Sequence, residues 1–68
     1  MEIFRVRFCE LLKSSGKTQT ELAEYLNVAK QCVSDYKSGK SIPSLPTFKK
    51  ICEFFAVSAD YLLGLSNY

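Results

Sequence analysis

The sequence predicts an all-α domain built from five short helices, and three observations carry that reading. Apolar residues recur at three- and four-residue intervals, and no segment alternates polar and apolar side chains as a half-buried strand would. Residues that favour helix ends stand where those segments must begin or stop: Thr18, Ser44 and Ser58 at starts, Gly16, Gly39 and Gly64 at stops. The chain has 68 residues, of which 47% are hydrophobic, which suffices for one compact core and leaves no room for a second. Residues 1–68 therefore read as a single domain.

The first helix is expected over residues 3–14, where Phe4, Phe8, Leu11 and Leu12 recur at i, i+4, i+7 and i+8 and Gly16 ends the run. The second should start at Gln19, because Thr18 and Glu21 form a capping box: the threonine hydroxyl accepts from a backbone amide three residues on, and the glutamate reaches back to the cap. Leu22, Ala23 and Leu26 give it a narrow apolar stripe, with Ala23 small where a crossing helix must approach closely. Asn27 tolerates the left-handed geometry that ends one helix before another begins. A third helix follows at Lys30–Ser38, stopped by Gly39. So few residues separate these two helices that the chain must turn sharply, and the pair reads as a helix-turn-helix. Beyond Pro43, Ser44 caps a fourth helix with Pro46 in its first turn, where a missing amide costs little. Leu45, Phe48, Ile51, Cys52 and Phe55 should form its apolar face. Ser58 caps a short fifth helix, Asp60 lies near its positive end, and Gly64 stops it. There are no internal repeats, low-complexity tracts or linkers.

Composition excludes several classes of function. Three cysteines, Cys9, Cys32 and Cys52, lie far apart without a Cys-x-x-Cys pair, and histidine is absent, so a structural zinc site is not expected. The odd cysteine count argues against a disulfide framework and fits a reducing compartment. No apolar run approaches the roughly 20 residues of a membrane span, and Arg5 and Arg7 interrupt the N-terminal region in a way a signal peptide does not. The expectation is a soluble, cytoplasmic protein. Without histidine, paired carboxylates at catalytic spacing or a glycine-rich phosphate loop, an enzyme is not expected either.

Net charge is only +2, but its distribution is uneven. Lys30, Lys37, Lys40, Lys49 and Lys50 face the single acid Asp35 within residues 30–50, while Glu21, Glu24, Glu53 and Asp60 lie elsewhere. A basic surface on the third helix and the loop after it suits a phosphate backbone, although ordinary solvated lysines would look the same. At about 100° per residue, Ala29, Val33 and Tyr36 share one face of that helix and are expected in the core. Gln31, Ser34, Asp35 and Ser38 share the opposite face, flanked by Lys30 and Cys32.

Over residues 8–63 the chain resembles the Cro and phage-repressor type of helix-turn-helix domain, also called the Xre family. The resemblance rests on the order and spacing of Thr18-Gln19, Glu21-Leu22-Ala23, Val33-Ser34 before Tyr36, Gly39-Lys40, Pro43-Ser44-Leu45, Val57-Ser58 and Asp60-Tyr61-Leu62-Leu63-Gly64. It implies a compact five-helix lambda-repressor-like fold, with the second and third helices as the motif and the N-terminal part of the third meeting base edges in the major groove. It further implies a sequence-specific regulator of transcription that binds double-stranded DNA, a repressor of the phage, plasmid or mobile-element kind. No cofactor, metal or small-molecule ligand is implied.

On that resemblance the base-contacting candidates are Lys30, Gln31, Ser34 and Asp35. A glutamine amide matches adenine N6 and N7, whereas Lys30 suits guanine O6 and N7 or a phosphate. Asp35 either accepts from a cytosine amino group or is a tolerated rim acid, neutralised by a neighbour such as Lys30. Phosphate candidates are Gln19 and Thr20 at the start of the second helix, Lys40 and Ser41 in the loop, and Cys32 on the third helix, with Lys37 and Ser44 weaker. Relatives commonly pair through the fifth helix and the chain end, which makes Leu62, Leu65 and Tyr68 the dimer candidates. The operator is then a pseudo-palindrome with half-sites about 34 Å apart. The chain stops soon after Gly64, where longer relatives begin a linker.

Two departures from the family occur together. Relatives commonly carry arginine at the position of Leu12 and glutamate at that of Lys37, a partly buried ion pair; here Leu12 is expected to pack under the stem of Lys37, its ammonium released towards solvent or phosphate. Asn27 replaces a usual glycine, and Ala29 replaces a usual serine or threonine cap, weakening the start of the third helix by about 1 kcal/mol. Cys32 lies near Lys30 in a first turn, where a thiolate is stabilised and oxidation would block DNA binding; a small side chain filling an available position is the plainer reading. Asp35 and the small net charge also motivate a reading from another class, a protein-interaction module of antitoxin-like or antirepressor type on the same scaffold.

Overall fold

The computed structural model describes residues 2–67 and folds them into α1 (Glu2–Ser14), α2 (Gln19–Leu26), α3 (Lys30–Ser38), α4 (Leu45–Phe55) and α5 (Ala59–Leu63), with no strand among the described residues. The caps anticipated from the sequence are made. Thr18 Oγ1 accepts from the Glu21 N–H at 3.1 Å, and the Glu21 carboxylate accepts from the Thr18 N–H at 2.8 Å. Ser44 Oγ accepts from the Thr47 N–H, and Ser58 Oγ accepts from the Tyr61 N–H at 3.0 Å. Helix α3 starts without such a bond, because Ala29 has no side-chain oxygen to offer. Ala29 is also exposed instead of joining Val33 and Tyr36 in the core: as the extended N-cap residue it lies before the first helical turn and off that turn's inward face.

Asn27 ends α2 at φ 58 and ψ 46, with its N–H donating to the carbonyls of Ala23 and Glu24. Ala56 ends α4 in the same left-handed geometry, φ 56 and ψ 44, with its N–H donating to Cys52 and Glu53. The next residue in each case, Val28 or Val57, donates to Ala23 O or Cys52 O at 3.0 Å and packs against the core. A hydrophobic contact of this kind accompanies left-handed helix ends. It holds Ala56 where its side chain alone would not, since a left-handed alanine costs about 1–2 kcal/mol.

Phe8 is the centre of the core. It stacks on Phe4 at 5.4 Å and meets Tyr36 and Phe55 edge-on at 6.3 and 6.2 Å, so that one α1 residue joins α3 and α4. Around it Leu22, Ala23, Leu26, Val33, Ile51 and Leu62 are buried. Helix α1 packs on α3 and α5, α2 on α3 and α4, and α4 on α5. Apart from the Tyr36 phenol, no polar or charged side chain is buried among the described residues.

Two expectations about apolar positions are corrected. Leu45 is 83% exposed, because it is the first residue of α4 and the inward face of that helix begins a turn later, at Phe48. Leu62 is 0% exposed: it is the residue with which the single inward face of α5 closes the core, and it is not available to a second copy. Two long-range clamps had no sequence signal. Arg7 Nη1 donates to the carbonyls of Tyr61 and, at 2.7 Å, Ser66, with the guanidinium 4.4 Å from the Tyr61 ring centre, and so fastens the end of α5 to α1. Lys17 Nζ donates to Phe54 O at 3.0 Å and lies 4.5 Å from the Phe54 ring centre, tying the α1–α2 loop to α4. Among the described residues no helix is long and apolar enough to cross a membrane.

Candidate nucleic-acid interface

Helix α3 is held from below by Val33 and Tyr36, at 0% and 8% exposure, and turns its polar side outward. Burial, and then the charges of Cys32 and Asp35, push the Tyr36 phenol above the usual tyrosine range, so this anchor stays neutral. On the outward side Lys30, Gln31 and Ser38 are exposed, and Ser34 and Asp35 half-buried. Cys32 is half-buried and packs against the core.

Asp35 is not neutralised by Lys30. Its Oδ1 accepts from Gln31 Nε2 at 2.9 Å, one helical turn away, and the one ion pair among the described residues joins Arg5 to Glu2. A carboxylate has no proton to give at neutral pH, so it must face the amide nitrogen and leave Gln31 Oε1 turned away as a free acceptor. The Asp35 backbone carbonyl has a second task. The backbone N–H groups of Gly39, Lys40 and Ser41 and the Ser38 hydroxyl all converge on it, with Lys40 N–H at 2.9 Å. Gly39, at φ 83, supplies the left-handed turn, and Lys40 and Ser41 are thereby held, exposed, against the end of α3.

Gln19 stands at the other side of the motif and is half-buried. Its Nε2 donates to Ser34 Oγ at 3.0 Å, and its Oε1 accepts from Lys37 Nζ at 3.1 Å. One donor of the Lys37 ammonium is thus used inside the domain, while Lys37 and Leu12 line one shallow depression together with Cys9, Lys13, Lys17 and Gln19. The expected stem packing is compatible with this, and the ammonium keeps two of its three donors for solvent or phosphate. What Gln19 retains for an anion is its second amide proton and its backbone N–H, next to that of exposed Thr20. Both backbone groups precede the first intrahelical bond, from Leu22 N–H to Thr18 O at 3.1 Å, where a helix start favours negative charge.

At the end of α5, Leu65 is 77% exposed, and Leu63 and Ile3 lie near 38% and 39%. Tyr68 lies outside the described residues.

Two packed helices with Ala23 and Val33 buried, a left-handed Asn27 between them and an outward polar row on the second define a helix-turn-helix domain. A helix-turn-helix family model matches residues 10–62, and the chain belongs to that family, the Xre type. The chain is 37% identical over 61 residues to the HTH-type transcriptional activator BcrR of Enterococcus faecalis, covering 90% of this chain and 30% of the relative. It is 38% identical over 58 residues to the HTH-type transcriptional regulator ImmR of Bacillus subtilis, covering 85% and 46%. With the SPbeta prophage-derived uncharacterized HTH-type transcriptional regulator YonR of the same organism it shares 33% over 61 residues, covering 90% and 56%. The chain therefore spans about a third to just over half the length of these relatives. No solved structure matches it.

Proposed function

We propose that the chain is a sequence-specific, double-stranded DNA-binding regulator of transcription that lays α3 in the major groove. The observation that carries this reading is the outward row Gln31, Ser34, Asp35 and Ser38 on a helix anchored from below by Val33 and Tyr36, with exposed Lys30 and Lys40 at its two ends. Gln31, Ser34 and Lys30 meet base edges. Asp35 acts on DNA mainly through Gln31, because its carboxylate is already engaged there. Lys40, Ser41, Thr20 and the backbone N–H groups opening α2 hold phosphates on either side, positioning the helix without reading sequence. The relatives' names, transcriptional regulators throughout, support the class, and YonR's prophage origin supports the mobile-element setting. A cytoplasmic location follows from such a role.

One domain of this size covers one half-site, so two copies bind a pseudo-palindrome with half-sites about 34 Å apart, pairing through exposed Leu65 beside Leu63 and Ile3. Repression by occupying a promoter is the expected sign, as in the phage repressors the sequence resembles; BcrR bears the name of an activator, and a reporter with the site overlapping its promoter distinguishes the two.

Selection from a randomised duplex pool followed by gel shift tests the proposal. One enriched, two-fold related sequence is the expected result. A folded protein that enriches nothing removes the DNA reading and favours an antitoxin-like or antirepressor module, for which Ile42 in the loop after α3 and Leu45 at the start of α4, 60% and 83% exposed, would form the partner surface.

A further inference from the structure

We infer that Lys37 is a positioning residue that sets the hydrogen-bond polarity of the reading face: acting through Gln19, it makes Ser34 a donor towards DNA, so that the base opposite Ser34 is a keto base, guanine or thymine. This rests on the DNA-binding reading above and adds to it which bases one position of α3 accepts.

The wiring follows from what each group is able to do. An ammonium group has three donors and no acceptor. Lys37 Nζ lies 3.1 Å from the Gln19 side-chain amide, so the atom facing it must be Oε1. That choice fixes the other end of the planar amide, and Nε2 meets Ser34 Oγ at 3.0 Å. An amide nitrogen only donates, so Ser34 is the acceptor in this bond. A hydroxyl has one proton. With its inward side used as an acceptor, Ser34 has its proton to give outward, on the same side of α3 as Gln31 and Asp35. In the major groove guanine O6 and thymine O4 accept at the place where adenine N6 and cytosine N4 donate. Ser34 keeps one lone pair that an amino base could use, but that pairing leaves the hydroxyl proton without a base acceptor, whereas a keto base takes it, and the keto pair is favoured for that reason.

Reversing the charge reverses the wiring. In Lys37→Glu the introduced carboxylate accepts only, so the Gln19 amide turns over, Oε1 faces Ser34, the hydroxyl gives its proton inward, and its lone pairs face the groove. The preferred base becomes an amino base, adenine or cytosine. In Lys37→Met neither orientation of Gln19 is enforced and the preference at that position disappears.

The test takes the parent, Lys37→Glu and Lys37→Met through selection from one randomised duplex pool, with sequencing of the bound fraction. The parent should favour keto over amino bases about fivefold at one position of each half-site, the size of a single hydrogen bond. Lys37→Glu should invert that position and leave the others alone, and Lys37→Met should flatten it. Loss of the cation also weakens binding to every duplex, but that uniform change does not alter relative base preference. A second measurement needs no DNA: nuclear Overhauser contacts from the Gln19 amide protons should reach the Ser34 β-protons in the parent and move to the introduced side chain in Lys37→Glu. Folded variants with an unchanged preference overturn the inference, as do Gln19 amide protons that stay on Ser34 in Lys37→Glu. A parent that selects no sequence overturns the DNA reading and the keto preference together, and the Overhauser pattern separates that failure from a failure of the wiring. If Lys37→Glu does not fold, Lys37→Met decides by the presence or absence of flattening.

Discussion

Replacing Leu12 by arginine asks whether α1 and α3 are joined here by packing where relatives use an ion pair. Leu12 is half-buried against the core and lines a depression with Lys13, Lys17 and Lys37. Removing a half-buried leucine forfeits about 1 kcal/mol, half of what full burial contributes, and the stem of an arginine recovers part of it. A guanidinium set among three ammonium groups adds repulsion of about 1 kcal/mol at the intermediate dielectric of a partly solvated site. Leu12→Arg should therefore destabilise by about 1.5–2 kcal/mol, which lowers Tm by roughly 6–16 °C in a domain of this size. Adding Lys37→Glu supplies the missing partner. The coupling in the double-mutant cycle should be about 1–2 kcal/mol, above an exposed pair and below a fully buried one. Urea unfolding of the parent, both single variants and the double variant, followed by far-ultraviolet circular dichroism at constant m-value, measures it. A Leu12→Arg protein as stable as the parent, or a coupling indistinguishable from zero, refutes the packing account.

Gln31→Ala should cost about 1–3 kcal/mol on the selected operator and relax one base pair, with little change on scrambled duplex, while Lys40→Ala should weaken both duplexes alike and lower the salt slope by about one ion. Titrating both variants at several salt concentrations checks the contrast; equal losses on operator and scrambled DNA for Gln31→Ala would make it a phosphate contact. Ala56→Gly should stabilise by about 0.5–1 kcal/mol, because glycine removes the left-handed strain at φ 56 but adds chain entropy to the unfolded state, and a Tm that falls would show the strain to be negligible. The alkaline limb of stability should shrink in Tyr36→Phe. Burial first, and then the charges of Cys32 and Asp35, raise the phenol's pKa in the fold, so its contribution is complete below about pH 10 and is lost as pH rises through the folded value. Burial raises the Cys52 thiol in the same sense and begins the decline at lower pH, so a stability profile of Tyr36→Phe that overlays the parent above pH 10 would contradict the assignment.

The sequence by itself determined the elements whose causes lie within one turn. Thr18 with Glu21, Ser44 and Ser58 start helices, and Asn27, Gly39 and Gly64 stop them, because cap and capped amide are neighbours along the chain. Phe4, Phe8, Leu22, Val33 and Tyr36 were legible as core from helical periodicity alone, and Gln31 and Lys30 as the outward side of α3. Tertiary structure decided what depends on contacts between distant segments. Only the closed core shows that Leu62 faces in and Leu45 out, since periodicity gives a face and not where along a helix its neighbours end. The left-handed Ala56 had no residue-type signal; it is held by Val57 packing inward. Arg7 and Lys17 find carbonyls 54 and 37 residues away, which no local pattern encodes. The polarity of the reading face belongs to the same class. Gln19 reaches Ser34 and Lys37 across 15 and 18 residues of sequence, and which end of its amide faces which partner is fixed by an ammonium group that can only donate.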